Sequence, residues 1–300
     1  MPGSFTVIVP THNRREALER ALTSLRRQRR PAAQVIVVAD GCTDGTAEMV
    51  RELNDPLVEV LDMPKGPGLG WVHRNIASER ASGDFIAYLA DDDMHLPDHL
   101  ERMGAILDTG EVDLVQASAC RVRRDGSFEV FGYDWAVPAL RGPVLAGADN
   151  RTPMSAVAHR RGLDAEAGGW RTVEDGPGDL DLWRRMLETG ARTAMLYEPT
   201  VLFIQSWRDD AQVHDHDDER RARGAALVER LDDPLLRAEI ALAGHDSEAT
   251  LKADAEKRVV EAERELPQLR ERAATLEKVL AGRWWRLGER IKRLTGRATG

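Results

Sequence analysis

The first hundred residues are paced by short apolar runs, and each of three such runs ends in a polar cluster. Thr6-Val7-Ile8-Val9 stops at Pro10 and is followed by Thr11-His12-Asn13-Arg14. Val35-Ile36-Val37-Val38-Ala39 runs into Asp40-Gly41, and Phe85-Ile86-Ala87-Tyr88-Leu89-Ala90 into Asp91-Asp92-Asp93. Val58-Glu59-Val60-Leu61 is a shorter run between them. Brief apolar stretches of this kind fit strands covered on both faces. Between them, Glu16 to Arg29 places Ala17, Leu18, Ala21, Leu22 and Leu25 at helical spacing. A second helix is expected over Thr46 to Leu53, and a third, containing Ala77, ends near Gly83. This alternation predicts right-handed crossovers and an α/β fold, a Rossmann-like, mostly parallel sheet sandwiched by helices. Ligands of such sheets sit beyond the C-terminal strand ends, so the three polar clusters converge on one edge.

The rest of the chain is less regular. Leu114 to Val122 and Phe128 to Phe131 read as strands around Arg124-Asp125-Gly126. Leu180 to Thr189 reads as a helix starting a new pattern, with strands over Thr193 to Tyr197 and Thr200 to Ile204. The charged stretch Trp207 to Arg223 is expected to be a loop or lid. From Leu251 to Leu280, apolar residues step by four and three, a coiled-coil or hairpin seam interrupted by Pro267. Four segments are therefore expected: 1–100, 101–225, a helical extension over 226–281 and a basic amphipathic tail over 282–300.

Charge narrows the partners. The net charge is −9, which argues against broad nucleic-acid binding. The tail carries six Arg/Lys and one Glu. With Trp284, Trp285 and Leu287 it suits an anionic membrane surface, a partner chain or the protein's own surface. The seam over 251–280 suits self-association or packing on the same chain. No apolar stretch approaches the ~18 residues of a transmembrane span, the N-terminus lacks signal-peptide regions, and Cys42 and Cys120 form neither a metal spacing nor a disulfide framework. A cytoplasmic location is expected, with peripheral membrane contact through the tail as an option.

The polar clusters have a chemistry of their own. Adjacent carboxylates at Asp91, Asp92 and Asp93 repel one another unless a cation neutralises them, and oxygen ligands suit Mg2+ or Mn2+. The alternative is a solvated acidic turn capping the helix near Pro97. Asp40 can accept a hydrogen bond from a base or ribose, or close an Asx-turn. Arg74, after the Gly-rich stretch Lys65 to Gly70, can meet a phosphate bidentately or lie on the surface.

Read together, Thr6–Arg14, Val35–Thr46, Arg74-Asn75 and Gly83–Asp93 with Leu96-Pro97 resemble glycosyltransferase family 2, and the likeness resumes at Gly168-Gly169-Trp170 and Gly178–Arg184. The resemblance implies the GT-A fold and an inverting enzyme that uses a nucleotide-sugar donor, most often a UDP-sugar. It implies that Pro10, Thr11 and Arg14 line the nucleotide pocket, Asp40 holds the base, Arg74 faces the nucleotide or its phosphates and Asp91 touches ribose. Asp92, with Asp93, would bind the metal on the diphosphate, and Asp179 would be the general base. The chain departs from the family pattern at Ala90, Cys42 and Gly178, which stand where Asp, Ser and Glu are usual.

Such a reaction asks for a cation to stabilise the departing diphosphate and a carboxylate to take the proton of the acceptor hydroxyl. Glu174, Asp175 and Asp181 rival Asp179 as base, and Asp179 can alternatively cap its helix. His159 and Trp170 are candidates for acceptor contact, against a structural or core role for each. His214 and His216 are candidates for a late metal ligand or lid, against a solvated loop; Trp183 and Trp207 for sugar stacking, against the core. Products of the surface-polysaccharide, glycolipid or small-molecule glycoside class are expected. A nucleotidyltransferase is the first alternative, although the Gly-rich signature of that class is missing after the first strand. A non-catalytic scaffold of a polysaccharide assembly is the second.

Overall fold

The computed structural model describes residues 2–123, 125–148, 151–173, 177–204, 218–244 and 271. The chain divides between residues 251 and 252, and the described residues, Glu271 aside, lie in the first unit. Glu174, Asp175, Trp207, His214, His216, the seam over 251–280 apart from Glu271, and the tail over 282–300 lie outside the described residues.

The expected parallel half is present. Strands β1 (Phe5–Thr11), β2 (Gln34–Asp40), β3 (Val58–Met63) and β4 (Phe85–Tyr88) lie in the order β3-β2-β1-β4, all parallel. Helices α1 (Arg15–Arg26), α2 (Thr46–Glu52) and α3 (His73–Arg80) make the crossovers. β-Branched residues dominate β1 and β2, and both strands are buried almost throughout, as burial on two faces requires. Helix α1 buries Ala17, Leu18, Ala21, Leu22 and Leu25 on its sheet side, and each fully buried leucine contributes about 1.5–3 kcal/mol. Thr11 pairs beside Ala39 and Asp40 beside Met63, so these strands finish level with one another.

Beyond β4 the sheet becomes mixed, antiparallel pairs joining the parallel ones. Strand β5 is the two-residue Met94–His95, followed by α4 (His99–Leu107). Strands β6 (Leu114–Val122) and β7 (Phe128–Phe131) form the expected hairpin. Helix α5 (Pro138–Leu145), a 3-10 turn at Met154–Ala156, β8 (Val157–Arg160) and α6 (Leu163–Glu166) follow. Strand β8 runs antiparallel to both β4 and β6 and joins the two halves. After α7 (Gly178–Glu188), β9 (Thr193–Ile204) is one strand rather than two. Its ladder with β6 is irregular where Ala117 pairs Leu196 and Ala119 pairs Val201. Pro199, which lacks an N–H, falls in that gap. This is the expected α/β architecture.

The charged stretch before Arg223 ends in helix α8 (Asp218–Glu229), not in a loop. Its burial comes from tertiary packing. Leu227, Val228 and Leu231, with Leu236 and Ile240 of a helical stretch over 234–244, pack on Met94, Cys120, Leu202 and Ile204.

Candidate active site

The strand ends meet as the spacing predicts. Pro10 and Thr11 from β1, Arg14, Asp40 from β2, Arg74 from α3, and Asp91 and Asp92 after β4 all line one cleft of about 450 Å³. Nη1 of Arg14 donates to Asp91 Oδ1 at 2.9 Å and to Asp92 Oδ2 at 2.8 Å. Burial pushes the Asp91 carboxyl up; Arg14 opposes this, the neighbouring charge of Asp92 adds to it, and the result is about 6. Two carboxylates facing an open cleft match the one-or-two-carboxylate set that a Mg2+-like ion uses beside substrate phosphates. Among the described residues, no group of three or more His, Cys, Asp or Glu gathers around a metal position.

Asp93 does not join that pair. It is buried, and the hydroxyl of Ser155 donates to its Oδ2 at 2.5 Å while accepting from the Ala90 N–H at 2.9 Å. The carboxylate thus pins the acidic turn to the 3-10 turn.

At the other end of the cleft, Asp40 is held by Lys65 Nζ and by the Gly66 N–H at 2.6 Å, with His73 Nδ1 3.2 Å away. Burial alone would raise this carboxyl, but Lys65, Gly66 and His73 outweigh it and keep it low, so it is charged at neutral pH. Gly70 closes the loop at φ +63°, and a Cβ there would stand 2.4 Å from the Asp40 carboxylate. Lys65, His12, Trp71 and Met154 also line the cleft and went unassigned from sequence. Of these only Lys65 left a signal, as the one cation of the Gly-rich stretch.

Trp71 lies against both Trp170 and Arg74. Its indole stacks on Trp170 with centroids 5.6 Å apart and planes 6° apart. The Arg74 guanidinium sits 4.2 Å from the Trp71 ring centroid and 5.1 Å from that of Trp170, within cation–π range. Burial lowers Arg74 to about 10, against the pull of Asp179 and Asp40, so it keeps its charge. Asp179 lies in the first turn of α7, half-buried, and its charge acts on Arg74. Its rival Asp181 is already clamped by Arg185 at 2.8 Å and Arg184 at 3.1 Å.

Two candidates for acceptor contact are inside the protein. His159 on β8 is fully buried, with Nε2 2.9 Å from the Tyr88 hydroxyl and Nδ1 2.8 Å from the Arg160 carbonyl. A carbonyl only accepts, so Nδ1 carries the proton and Nε2 accepts from Tyr88. Trp170 is buried behind Trp71, its backbone gripped by the Asn75 amide at 2.7 and 2.9 Å. Trp183 is likewise core, 5.8 Å from Trp170. Apolar burial won over solvent access in each case.

The description "Glycosyl transferase family 2" belongs to the family model that matches residues 6–162, more than half of the chain. This chain belongs to glycosyl transferase family 2. Among relatives in glycosyl transferase family 2's neighbourhood, the pre-mycofactocin glycosyltransferase of Mycobacterium tuberculosis is 30% identical over 213 residues, covering 68% of this chain and 43% of that protein. The poly(ribitol-phosphate) beta-N-acetylglucosaminyltransferase TarS of Staphylococcus aureus is 31% identical over 114 residues, covering 37% of this chain and 20% of that protein. The chain spans less than half the length of these curated relatives. A crystal structure of TarS in complex with UDP-GlcNAc superimposes with a TM-score of 0.54 at 22% identity, covering 76% of this chain and 66% of that one. The mannosyltransferase PcManGT from Pyrobaculum calidifontis, in complex with GDP-Man and Mn2+, superimposes with a TM-score of 0.51 at 19% identity, covering 87% and 81%. These likenesses establish the fold that the family 2 chain shares.

Proposed function

We propose that this family 2 chain is an inverting glycosyltransferase that moves a sugar from a nucleoside-diphosphate donor, a UDP-sugar first, to a hydroxyl acceptor. The observation that carries the reading is the convergence of Asp40, Arg74, Asp91 and Asp92 on one cleft at the parallel strand ends, with Asp179 close enough to act on Arg74. The complexes of TarS with UDP-GlcNAc and of PcManGT with GDP-Man support a nucleotide sugar as the ligand class.

The roles follow from charge and position. Asp40 accepts from the N–H of the base, at the end of the cleft that Lys65 and Gly66 close. Asp91 accepts from the ribose, and Pro10 and Thr11 wall the pocket. Arg74, buried yet charged, faces the phosphates. Asp92 with Asp91 would hold Mg2+ or Mn2+, which when bound neutralises the departing diphosphate; the Mn2+ in PcManGT supports that assignment. Asp179 takes the proton of the acceptor hydroxyl from the face opposite the diphosphate, as a single in-line displacement with inversion demands.

The acceptor class is a surface polysaccharide, a glycolipid or a small molecule, and the similarity to TarS and the pre-mycofactocin glycosyltransferase supports that range. Among the described residues no helix is long and apolar enough to cross a membrane. A cytoplasmic site of action, with the tail over 282–300 on the membrane and the seam over 251–280 joining two copies, completes the proposal. Calorimetry with UDP and Mn2+ tests it: micromolar binding is expected for the wild type and a large loss for Asp92→Ala. Absence of binding to UDP, GDP or TDP with Mg2+ or Mn2+ by the folded wild type would overturn the reading.

A further inference from the structure

We infer that Asn75 and Arg185 are positioning residues of the transfer step: together they clamp the loop Ala167–Trp170, so that helix α7, and with it Asp179, is held in fixed register with Arg74. The inference rests on the proposed function and adds to it what fixes the base against the donor.

Asn75 follows Arg74 on α3. Its carboxamide meets both backbone groups of Trp170, 95 residues away in the chain: Nδ2 donates to the Trp170 carbonyl at 2.9 Å, and Oδ1 accepts from the Trp170 N–H at 2.7 Å. A carboxamide that donates to and accepts from one residue's backbone fixes its orientation as well as its distance. The neighbouring backbone is shaped to admit it. Gly169 has φ +69°, and a Cβ there would stand 2.7 Å from Asn75 Oδ1. Arg185, buried on α7, grips the same loop: Nη2 donates to the Gly169 carbonyl at 2.7 Å and Nη1 to the Ala167 carbonyl. Nε and Nη2 also donate to Asp181 Oδ2, at 3.0 and 2.8 Å. The guanidinium therefore cannot leave the loop without also disturbing an ion pair within α7.

The consequence is mechanical. Arg74 and Asn75 are consecutive on one helix, Asp179 and Arg185 lie within two turns of each other on another, and the loop backbone is hydrogen-bonded to both helices. The Trp170 ring, stacked on the Trp71 ring that carries Arg74, packs the same junction. Neither Asn75 nor Arg185 is among the residues lining the cleft, so each acts through Asp179 rather than on the donor. Supports of this kind hold functional groups to within about 0.5 Å, and a displacement of about 1 Å can cost 10²-fold in rate.

The test reads turnover apart from donor affinity, in the full chain. Asn75→Ala is expected to keep the UDP dissociation constant within about threefold and to lower turnover per UDP-binding site by about 10²-fold. Turnover is UDP release from UDP-GlcNAc or UDP-glucose, with water in the acceptor's place. Arg185→Lys, which keeps a charge but not the fork, should retain part of the rate and serves if Asn75→Ala does not fold. Gly169→Ala, which displaces the same clamp from the loop side, should lose a similar share, and the double variant no more than the larger single loss. A merely structural clamp would lower the melting temperature and leave turnover per binding site unchanged. That result, UDP affinity falling in step with turnover, or losses that multiply in the double variant overturns the inference and leaves the proposed function standing. Hydrogen exchange decides the mechanical part without any turnover. Asn75→Ala should speed exchange about tenfold or more at Trp170 and also within α7; a change confined to Trp170 overturns the coupling. Failure of the folded wild type to bind UDP overturns the proposed function, while the exchange result stands on its own.

Discussion

The ring of Trp71 fills the space that a side chain at Gly178 would occupy: a Cβ built there stands 2.5 Å from the indole. This pairing accounts for a departure from the family pattern, which reads Glu before the candidate base Asp179. The same indole carries Arg74, so the donor end of the cleft and the start of α7 are packed through one ring. Gly178→Ala is expected to cost about 1–3 kcal/mol through overpacking and to weaken UDP binding by shifting Arg74. In a Trp71→Phe background the cost should shrink, giving a coupling of about 0.5–3 kcal/mol in a double-mutant cycle read by thermal denaturation. Costs that simply add would show that the contact carries no energy.

Asp179 and Asp181 sit two residues apart but face different partners. Asp181 is gripped by Arg184 and Arg185, whose charge outweighs burial and holds it below the usual carboxylate range. Asp179→Asn should therefore keep UDP affinity and lower transfer by about 10²- to 10⁴-fold, the usual worth of a positioned base. Asp181→Asn should lower the melting temperature and leave a measurable rate. Turnover assays beside calorimetry separate the two, and a fully active Asp179→Asn would assign the base elsewhere.

The strand ends were legible because buried parallel strands leave uninterrupted apolar runs, and Pro10, Asp40 and Asp91 mark where those runs stop. Leu114–Val122 and Phe128–Phe131 were legible to the residue, since Arg124-Asp125-Gly126 is a strong turn signal. What tertiary contact decides was not legible. Asp93 looks the same as Asp92 in sequence, and only Ser155, 62 positions away, turns it inward. His159 and Trp170 carry binding chemistry in any list of residues, yet Tyr88 and Trp71 enclose them. Strand β8 is four residues with a histidine and an arginine, too short and too polar to betray a strand that ties β4 to β6.

Gly70 predicts how narrowly the loop at Asp40 is fitted. At φ +63° a side chain is strained, and its Cβ would overlap the Asp40 carboxylate. Gly70→Ala is expected to break the contacts of Asp40 with Lys65 and Gly66, lowering UDP affinity at least tenfold, about 1.4 kcal/mol. Asp40→Asn, which keeps the shape but removes the charge, should lose less stability than Gly70→Ala and a comparable share of UDP binding. Unchanged UDP binding in both variants would show that Asp40 serves only the loop.

The buried histidines His95 and His99 set an acid limit on the fold. Their rings stack 3.8 Å apart; His95 Nε2 bonds the Ser155 carbonyl at 2.9 Å and His99 Nδ1 the Thr200 hydroxyl at 2.8 Å. Burial lowers His95 to about 4, and burial with the neighbouring His95 lowers His99 well below its ordinary value. Both are neutral in the folded chain, while in the unfolded chain each takes a proton near pH 6.5. Stability from this pair is complete above that pH and is lost as pH falls toward 4. Asp91 acts in the opposite sense, since its carboxyl, raised to about 6 by burial, is protonated first in the folded chain. Between pH 6 and 4 the unfolded chain thus holds protons on His95, His99 and His159, the last also lowered by burial in the folded chain, while the folded chain takes one up on Asp91. The excess of protons on the unfolded chain predicts that stability falls with pH across this range, by about 1.4 kcal/mol per pH unit for each excess proton. Urea denaturation across this range should show that slope. Asp91→Asn should steepen it, and His99→Gln should make it shallower; a wild-type stability independent of pH from 6.5 to 4 would mean that the histidines are not held neutral.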